Sequence, residues 1–427
     1  MGGLQALAIA LLAGSALLNT VVAHPGEKHS AEKIKKAIAA RDLAVAHANQ
    51  VSKCVGSAKH NALQSRAAAR RATTAQLLRE KREIVEKPMR SKRDQSALDA
   101  WLNTCHDMSG THNYDSSTPE ATIFTSNATA ALTPETIIGP YFVAGEYIRQ
   151  NVAEDQPGVP IHLDIQFIDV ATCEPVPNML VDIWHANATG VYSGVSMQGQ
   201  GGLNSTFLRG IQATDHDGVT QFDSVFPGHY MGRTNHIHVV SRRGGQILSN
   251  GTYTGGTVNH IGQLYFDQEL ISAIETMDPY TRNTMALTTN RGDFLTGDEA
   301  TKDYDPFLSY VMLSDDANDG LLMWITIGVN TTADHNDQAM AAAHYYKGGG
   351  VSNNNGPGGF PFPPNGTAPW PFNATGWPSG APFPTGFPTG GFPPGGFPGF
   401  PGPTATATAT VKPWGPCIGK REEEKEE

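Results

Sequence analysis

From residue 160 to residue 329 the apolar residues recur in steps of two, in short segments divided by turns, and no long helical stretch interrupts them. Such a pattern admits strands and little else. His162-Leu-Asp-Ile-Gln-Phe-Ile-Asp-Val170 alternates polar with apolar residues, Leu180–Trp184 is an apolar run with the look of a buried strand, and Val219–Phe222 follows an Asp217-Gly218 turn. Leu321–Val329 supplies another long apolar strand. A series of short strands of this kind predicts a mainly β fold, a β-sandwich, over residues 116–345, a length that suits one hydrophobic core.

The flanks have different compositions. Residues 1–23 hold an uncharged Ala/Leu-rich run, Leu4 to Val22, ending in small residues before His24. This reads as a secretory signal peptide rather than a membrane span, which needs roughly 20 unbroken apolar residues. Residues 24–115 are expected to form a basic helical arm or a pro-segment, with helix from about Ser30 to Glu86. Between residues 24 and 93 lie 17 of the 30 Lys and Arg against 6 of the 41 acids, which leaves 13 bases facing 35 acids elsewhere. The dibasic pairs Arg70-Arg71, Lys81-Arg82 and Lys92-Arg93 would be cleavage sites for a secretory protease. The basic run lacks interleaved aromatics, which argues against nucleic acid as a partner. Residues 346–427 are built from Gly, Pro, Phe, Asn and Thr, with near-repeats such as GFPTGGFPPGGFPGFPGP. A segment of this composition is expected to be disordered, serving as a spacer or a cell-wall contact.

Asn-x-Ser/Thr acceptors stand at Asn127, Asn187, Asn204, Asn250, Asn330, Asn365 and Asn373, and the cysteines are Cys54, Cys105, Cys173 and Cys417. Both sets suit a soluble, secreted, glycosylated chain with structural disulfides, and no membrane partner is expected. The cysteine spacing does not set the connectivity, nor does the sequence set an oligomeric state. No Gly-x-Ser-x-Gly elbow, Walker loop or HExxH is present.

The chemistry is concentrated in Tyr230-Met-Gly-Arg-Thr-Asn-His236-Ile-His238-Val239. On a strand, His236 and His238 project to the same side while Ile237 and Val239 face the other, so two imidazoles can grip one metal ion. A Pro227-Gly228 turn delivers Tyr230 close to this strand, and the Gly190-Val-Tyr192 sequence carries a second tyrosine beyond the Leu180 strand. The ordered motifs Trp184-His-Ala-Asn-Ala-Thr-Gly-Val-Tyr192, Asp217-Gly-Val-Thr-Gln-Phe222, Pro227-Gly-His-Tyr230 and Arg233-Thr-Asn-His236-Ile-His238 resemble the intradiol ring-cleavage dioxygenases, the family of catechol 1,2- and protocatechuate 3,4-dioxygenases. The resemblance spans Pro134 to about Asp267.

What the resemblance implies is an Fe(3+) centre held by Tyr192, Tyr230, His236 and His238, with O₂ and a catechol-type diol as substrates and ring opening between the two hydroxyl-bearing carbons. Phenolate oxygens are hard anionic donors that favour iron(III), which agrees with the residue types. By the same resemblance Arg233 stabilises charge developing on the ring, Tyr230 can take a substrate proton when displaced, Gln263 lies near the ligands, and Tyr141 is a possible pocket wall, with packing as its plainer role. The chain departs from the family pattern at Met231-Gly232-Arg233-Thr234, where Trp-Arg-Pro is usual, and at His185, so the preferred catechol is left open. Asn187, a glycan acceptor inside the tyrosine motif, is expected to stay unmodified. Two readings compete with the enzyme. One is a secreted non-catalytic β-sandwich module that binds carbohydrate or cell wall through the tail; the other is a hydrolase or copper oxidase using the same histidine pair.

Overall fold

The computed structural model describes residues 57–84, 106–108, 138–293, 295–296, 305–314, 316–346 and 349–353. The expected leader, the rest of the basic segment, the Gly/Pro/Phe tail from residue 354 onward, three of the cysteines and the acceptors Asn127, Asn365 and Asn373 lie outside the described residues. The first residues of the segment expected to be disordered are ordered instead, Gly349–Ser352 pairing as a strand with Ala343–Tyr346. Cys173, which lies within them, is not a free thiol. Among the described residues no helix is long and apolar enough to cross a membrane.

In chain order the elements are α1 (Ala58–Lys81), β1 (Val143–Ala144), β2 (Pro160–Asp169), β3 (Leu180–Trp184), β4 (Arg209–Ala213) and β5 (Val219–Val225). They continue with β6 (His236–Arg243), β7 (Gln246–Ile247), β8 (Tyr253–Thr254), β9 (Thr257–Tyr265) and the short helix α2 (Gln268–Ile274). The last are β10 (Ser309–Met312), β11 (Leu321–Val329), β12 (Ala343–Tyr346) and β13 (Gly349–Ser352). The mainly β expectation therefore holds, and two four-stranded sheets carry the fold. One has the order β10-β11-β2-β5 and the other β4-β3-β6-β9. The second sheet is antiparallel throughout, whereas β11 and β2 run parallel in the first.

The period of two explains the layering. Leu163, Ile165 and Phe167 of β2, Val181 and Ile183 of β3, Ile237 and Val239 of β6, and Met323, Ile325 and Ile327 of β11 share one core between the sheets. Their alternates point outward, and on each sheet that outer face is covered. On the β10-β11-β2-β5 sheet the cover is α1, whose Ala68, Ala72 and Ala75 form a small-residue stripe packed on Val311, Leu322 and Trp324. Here the structure departs from the half-exposed strand that the His162–Val170 alternation suggests: His162, Asp164 and Gln166 are all buried. The polar alternates of β2 meet the arginines of α1, Asp164 accepting from Arg70 Nε at 2.8 Å and from Arg71 Nε at 3.0 Å. Arg66 adds a two-nitrogen contact to Asp217. Alternation thus reports a change of chemistry along the strand, and a charged helix can bury both kinds of face. The described helix, Ala58–Lys81, falls within the expected span from Ser30 to Glu86, of which residues 30–56 lie outside the described residues.

The outer face of the β4-β3-β6-β9 sheet positions the site. Trp184 pairs in register with both Arg209 and His238, His238 with Gln263, and His236 with Tyr265. Pairing therefore lays Arg209, Trp184, His238 and Gln263 side by side in one row across four strands. Ile138, Phe142, Val143 and Ala341–Ala343 close over this face, burying Trp184, Val240 and Ile261.

Candidate active site

Two loops bring the tyrosines to the histidine strand, and glycines let the loops touch. A Cβ at Gly190 (φ +81°) would lie 2.4 Å from the His229 carbonyl oxygen, and one at Gly228 would lie 2.3 Å from that of Ala188. Any other residue at either position would push the loops apart. Asn187 fixes the first loop: its side-chain oxygen accepts from the Thr189 and Val191 amides at 3.1 and 3.0 Å, and its amide nitrogen donates to Gln156 at 3.0 Å. The Tyr192 amide donates to Gln200 Oε1 at 2.6 Å. A third glycine, Gly139 (φ +79°), brings the Gly139-Pro140-Tyr141 segment against His238, where a Cβ would stand 3.2 Å from its Cε1.

The result is an aromatic cluster. Tyr192 and Tyr230 meet edge to face at 5.4 Å between ring centroids, Tyr230 and His236 lie 5.5 Å apart, and His236 and His238 4.8 Å apart. Tyr141 stacks on Tyr192 at 4.4 Å, and Trp184 lies parallel to His238 at 4.7 Å. The structure thus gathers Tyr141, Tyr192, Tyr230, Arg233, His236, His238 and Gln263 at one place, and Tyr141 is wall and packing at once.

Protons and lone pairs are arranged for a cation. His236 Nδ1 sits 2.6 Å from the Thr234 carbonyl, which fixes it as N–H and leaves Nε2 as a lone-pair donor facing His238 Nε2 at 3.2 Å. Burial, reinforced by the Arg233 charge, holds both imidazoles well below their ordinary range, so they are neutral. The Tyr192 phenol is fully buried beside that of Tyr230. Burial pushes this phenol and that of Tyr230 up, with Arg233 pulling the other way. Two phenols whose protons are costly to lose unaided and two neutral imidazoles together form a donor set that a trivalent metal ion fits. Among the described residues no group of three or more His, Cys, Asp and Glu is arranged to hold a metal.

Arg233 is buried rather than a surface ion pair. It donates through Nε to Asp293 at 2.9 Å and through Nη2 to Gln263 at 2.6 Å, and its Nη1 lies 3.4 Å from the Tyr230 hydroxyl. Several neighbours escaped sequence reasoning. Asp293 and Asn290 reach the Arg233-Thr234 turn from a loop beyond α2, and Glu275 accepts from Asn235 and pairs with His229. No local motif marks them; only the tertiary fold joins residue 233 to residue 293.

Residues 137–272 match the family model described as Dioxygenase. Among curated proteins the chain is similar to the catechol 1,2-dioxygenase of Acinetobacter baylyi, 30% identical over 170 residues, covering 38% of this chain and 51% of that relative. This domain belongs to the intradiol ring-cleavage dioxygenase family. A second relative of the dioxygenase domain, catechol 1,2-dioxygenase 1 of Acinetobacter lwoffii, is 35% identical over 106 residues, covering 23% of this chain and 32% of the relative. The chain therefore spans about half the length of the first curated relative and about a third of the second. Among solved structures, an intradiol ring-cleavage dioxygenase from Tetranychus urticae is 28% identical, with 48% of this chain and 98% of that one covered and a TM-score of 0.41. Asp293 and Asn290 lie beyond the segment that the dioxygenase model matches.

Proposed function

We propose that this protein is a secreted iron(III) dioxygenase that uses O₂ to cleave catechol-type diols between the two hydroxyl-bearing carbons. The observation that carries the reading is the convergence of Tyr192, Tyr230, His236 and His238 in one aromatic cluster on the histidine strand. A ferric ion in that cluster would supply the electron-accepting centre on which a chelating catechol becomes reactive toward O₂.

The remaining work falls to the chain's own groups. Tyr192, buried and stacked under Tyr141, is suited to remain a ligand throughout. Tyr230 is only part-buried and lies beside Arg233, so its phenolate would be the group placed to take one catechol hydroxyl proton. Arg233 faces the same space and stabilises negative charge as it builds on the ring oxygens. Tyr141 and Trp184 keep the site apolar and exclude water, which strengthens both effects. Secretion belongs to this proposal and rests on the leader-like run and the density of glycan acceptors.

The test is a visible spectrum with metal analysis of the full-length protein, repeated for Tyr192→Phe and His236→Ala, followed by oxygen uptake with catechol, protocatechuate and hydroxyquinol. About one iron per chain with a phenolate-to-iron band in the visible, lost in both variants, is the expected result. A colourless protein that takes up no iron on reconstitution would refute the enzyme and favour the non-catalytic binding module; copper in its place would favour the oxidase.

A further inference from the structure

We infer that Asp293 is a positioning residue that holds Arg233 and the His236-bearing turn in a single pose, so that a loop outside the sandwich completes the site. This rests on the reading of Arg233 given above. The Asp293 carboxylate is fully buried and accepts from three donors. Its two oxygens lie 3.1 and 2.9 Å from Arg233 Nε, while the Thr234 and Leu295 amides donate to it at 2.8 and 2.9 Å.

Those contacts fix a plane and a peptide together. With Nε held by Asp293 and Nη2 held by Gln263, the guanidinium cannot rotate, and Nη1 is left pointing at the Tyr230 hydroxyl. Thr234, whose N–H binds Asp293, presents the carbonyl of its following peptide to His236 Nδ1, so the carboxylate anchors the residue that orients that imidazole. The pose of Thr234 is secured again by Asn290, which takes its hydroxyl at 2.8 Å and donates to the Phe266 carbonyl at 2.8 Å. A neutral partner at 293 could keep some hydrogen bonds, but it would lose the charge-assisted pair that holds the guanidinium flat against the site.

The experiment is a double-mutant cycle on the iron-loaded full-length protein with Asp293→Asn, Arg233→Gln and both together. Asp293→Asn is expected to keep about one iron per chain and to bind catechol anaerobically, followed by its visible band, within about threefold of the parent, while kcat falls about 30- to 100-fold, the loss that misplacing a reacting group brings. In the Arg233→Gln background the same change should cost less than about threefold in kcat, since residues acting as a unit are not additive. Full multiplication of the two losses, or an unimpaired Asp293→Asn enzyme, overturns the inference. The cycle is also read by urea unfolding, which needs no activity. Asp293→Asn should destabilise the parent and stabilise the Arg233→Gln chain, where the carboxylate is buried without its cation. If the parent cleaves no catechol but the unfolding cycle shows this reversal, the dioxygenase reading fails and the positioning stands. An active parent without the reversal overturns the positioning and leaves the dioxygenase reading in place. Should the Asn chain not accumulate, Asp293→Glu decides: it keeps the charge one methylene further out, should fold and hold iron, and should lose at least about fivefold in kcat. A Glu enzyme equal to the parent would contradict the inference.

Discussion

At Gly228 a methyl group would stand 2.3 Å from the Ala188 carbonyl oxygen, and at Gly199 (φ +81°) it would meet nothing within 4 Å. Gly228→Ala must therefore push apart the loops carrying Tyr192 and Tyr230, while Gly199→Ala incurs only the cost of a left-handed backbone. We expect Gly228→Ala to lower stability by about 1–3 kcal/mol and to bind iron poorly, and Gly199→Ala to lose about 1 kcal/mol with iron binding intact. Iron content and thermal unfolding of the two variants check this, and equal iron retention would count against the loop contact. Asn187 supports a second prediction. Both ends of its side chain are engaged, so a glycan on its nitrogen would cost the bond to Gln156, whereas Asn250 is exposed in a turn. Glycopeptide mass spectrometry of secreted protein should find Asn250 modified and Asn187 bare. The histidine pair was legible from strand spacing, and the tyrosines and Arg233 because they sit inside ordered local motifs that resemble those of a known family. Asp293 was not, because its partner is 60 residues away and only the folded loop aligns them.

Among the elements, alternation has a similar reach and a similar limit. Leu180–Trp184, Val219–Phe222 and Leu321–Val329 were readable as strands, and Val181, Ile183, Phe222, Met323 and Ile325 among them face a shared core. The fate of the outer face was not readable, because burying Asp164 depends on a helix about 90 residues earlier. Asp164 is fully buried, and against the desolvation that would raise its pKa, Arg71 and Arg70 hold it well below the usual carboxylate range. Its charge is thus tied to the docking of α1. Asp164→Leu leaves Arg71 buried without a counter-charge and should cost about 3–5 kcal/mol of stability, while Asp164→Leu combined with Arg71→Met should recover much of that loss. Urea unfolding of the two chains decides it, and a double variant no better than the single would mean that the ion pair is not what couples helix to sheet.

On the scale of the whole molecule, a pinned histidine ties distant stretches of chain together. Residues 106–108 lie alongside β10, with the Met108 amide donating to the Tyr310 carbonyl at 2.7 Å and the Tyr310 amide to that of His106 at 2.8 Å. The buried His106 ring is held between Asp267, at the start of α2, and Asp305, just before β10, and lies 5.5 Å from the Phe307 ring. Burial alone would lower its pKa, but the two carboxylates override that and raise it from 6.5 to about 10. Since the folded pKa exceeds the unfolded one, the imidazolium contributes its full stabilisation below about pH 6.5 and loses it as the pH climbs toward 10. His106→Gln removes the charge at every pH. The stability gap between parent and variant should therefore be widest near pH 6 and shrink steadily to about pH 10. Thermal unfolding of the pair at half-unit steps from pH 6 to pH 10 reads the gap directly. A gap that stays constant over that range would mean that His106 acts through packing against Phe307 and its neutral hydrogen bonds, and that its charge does not link residues 106–108 to α2 and β10.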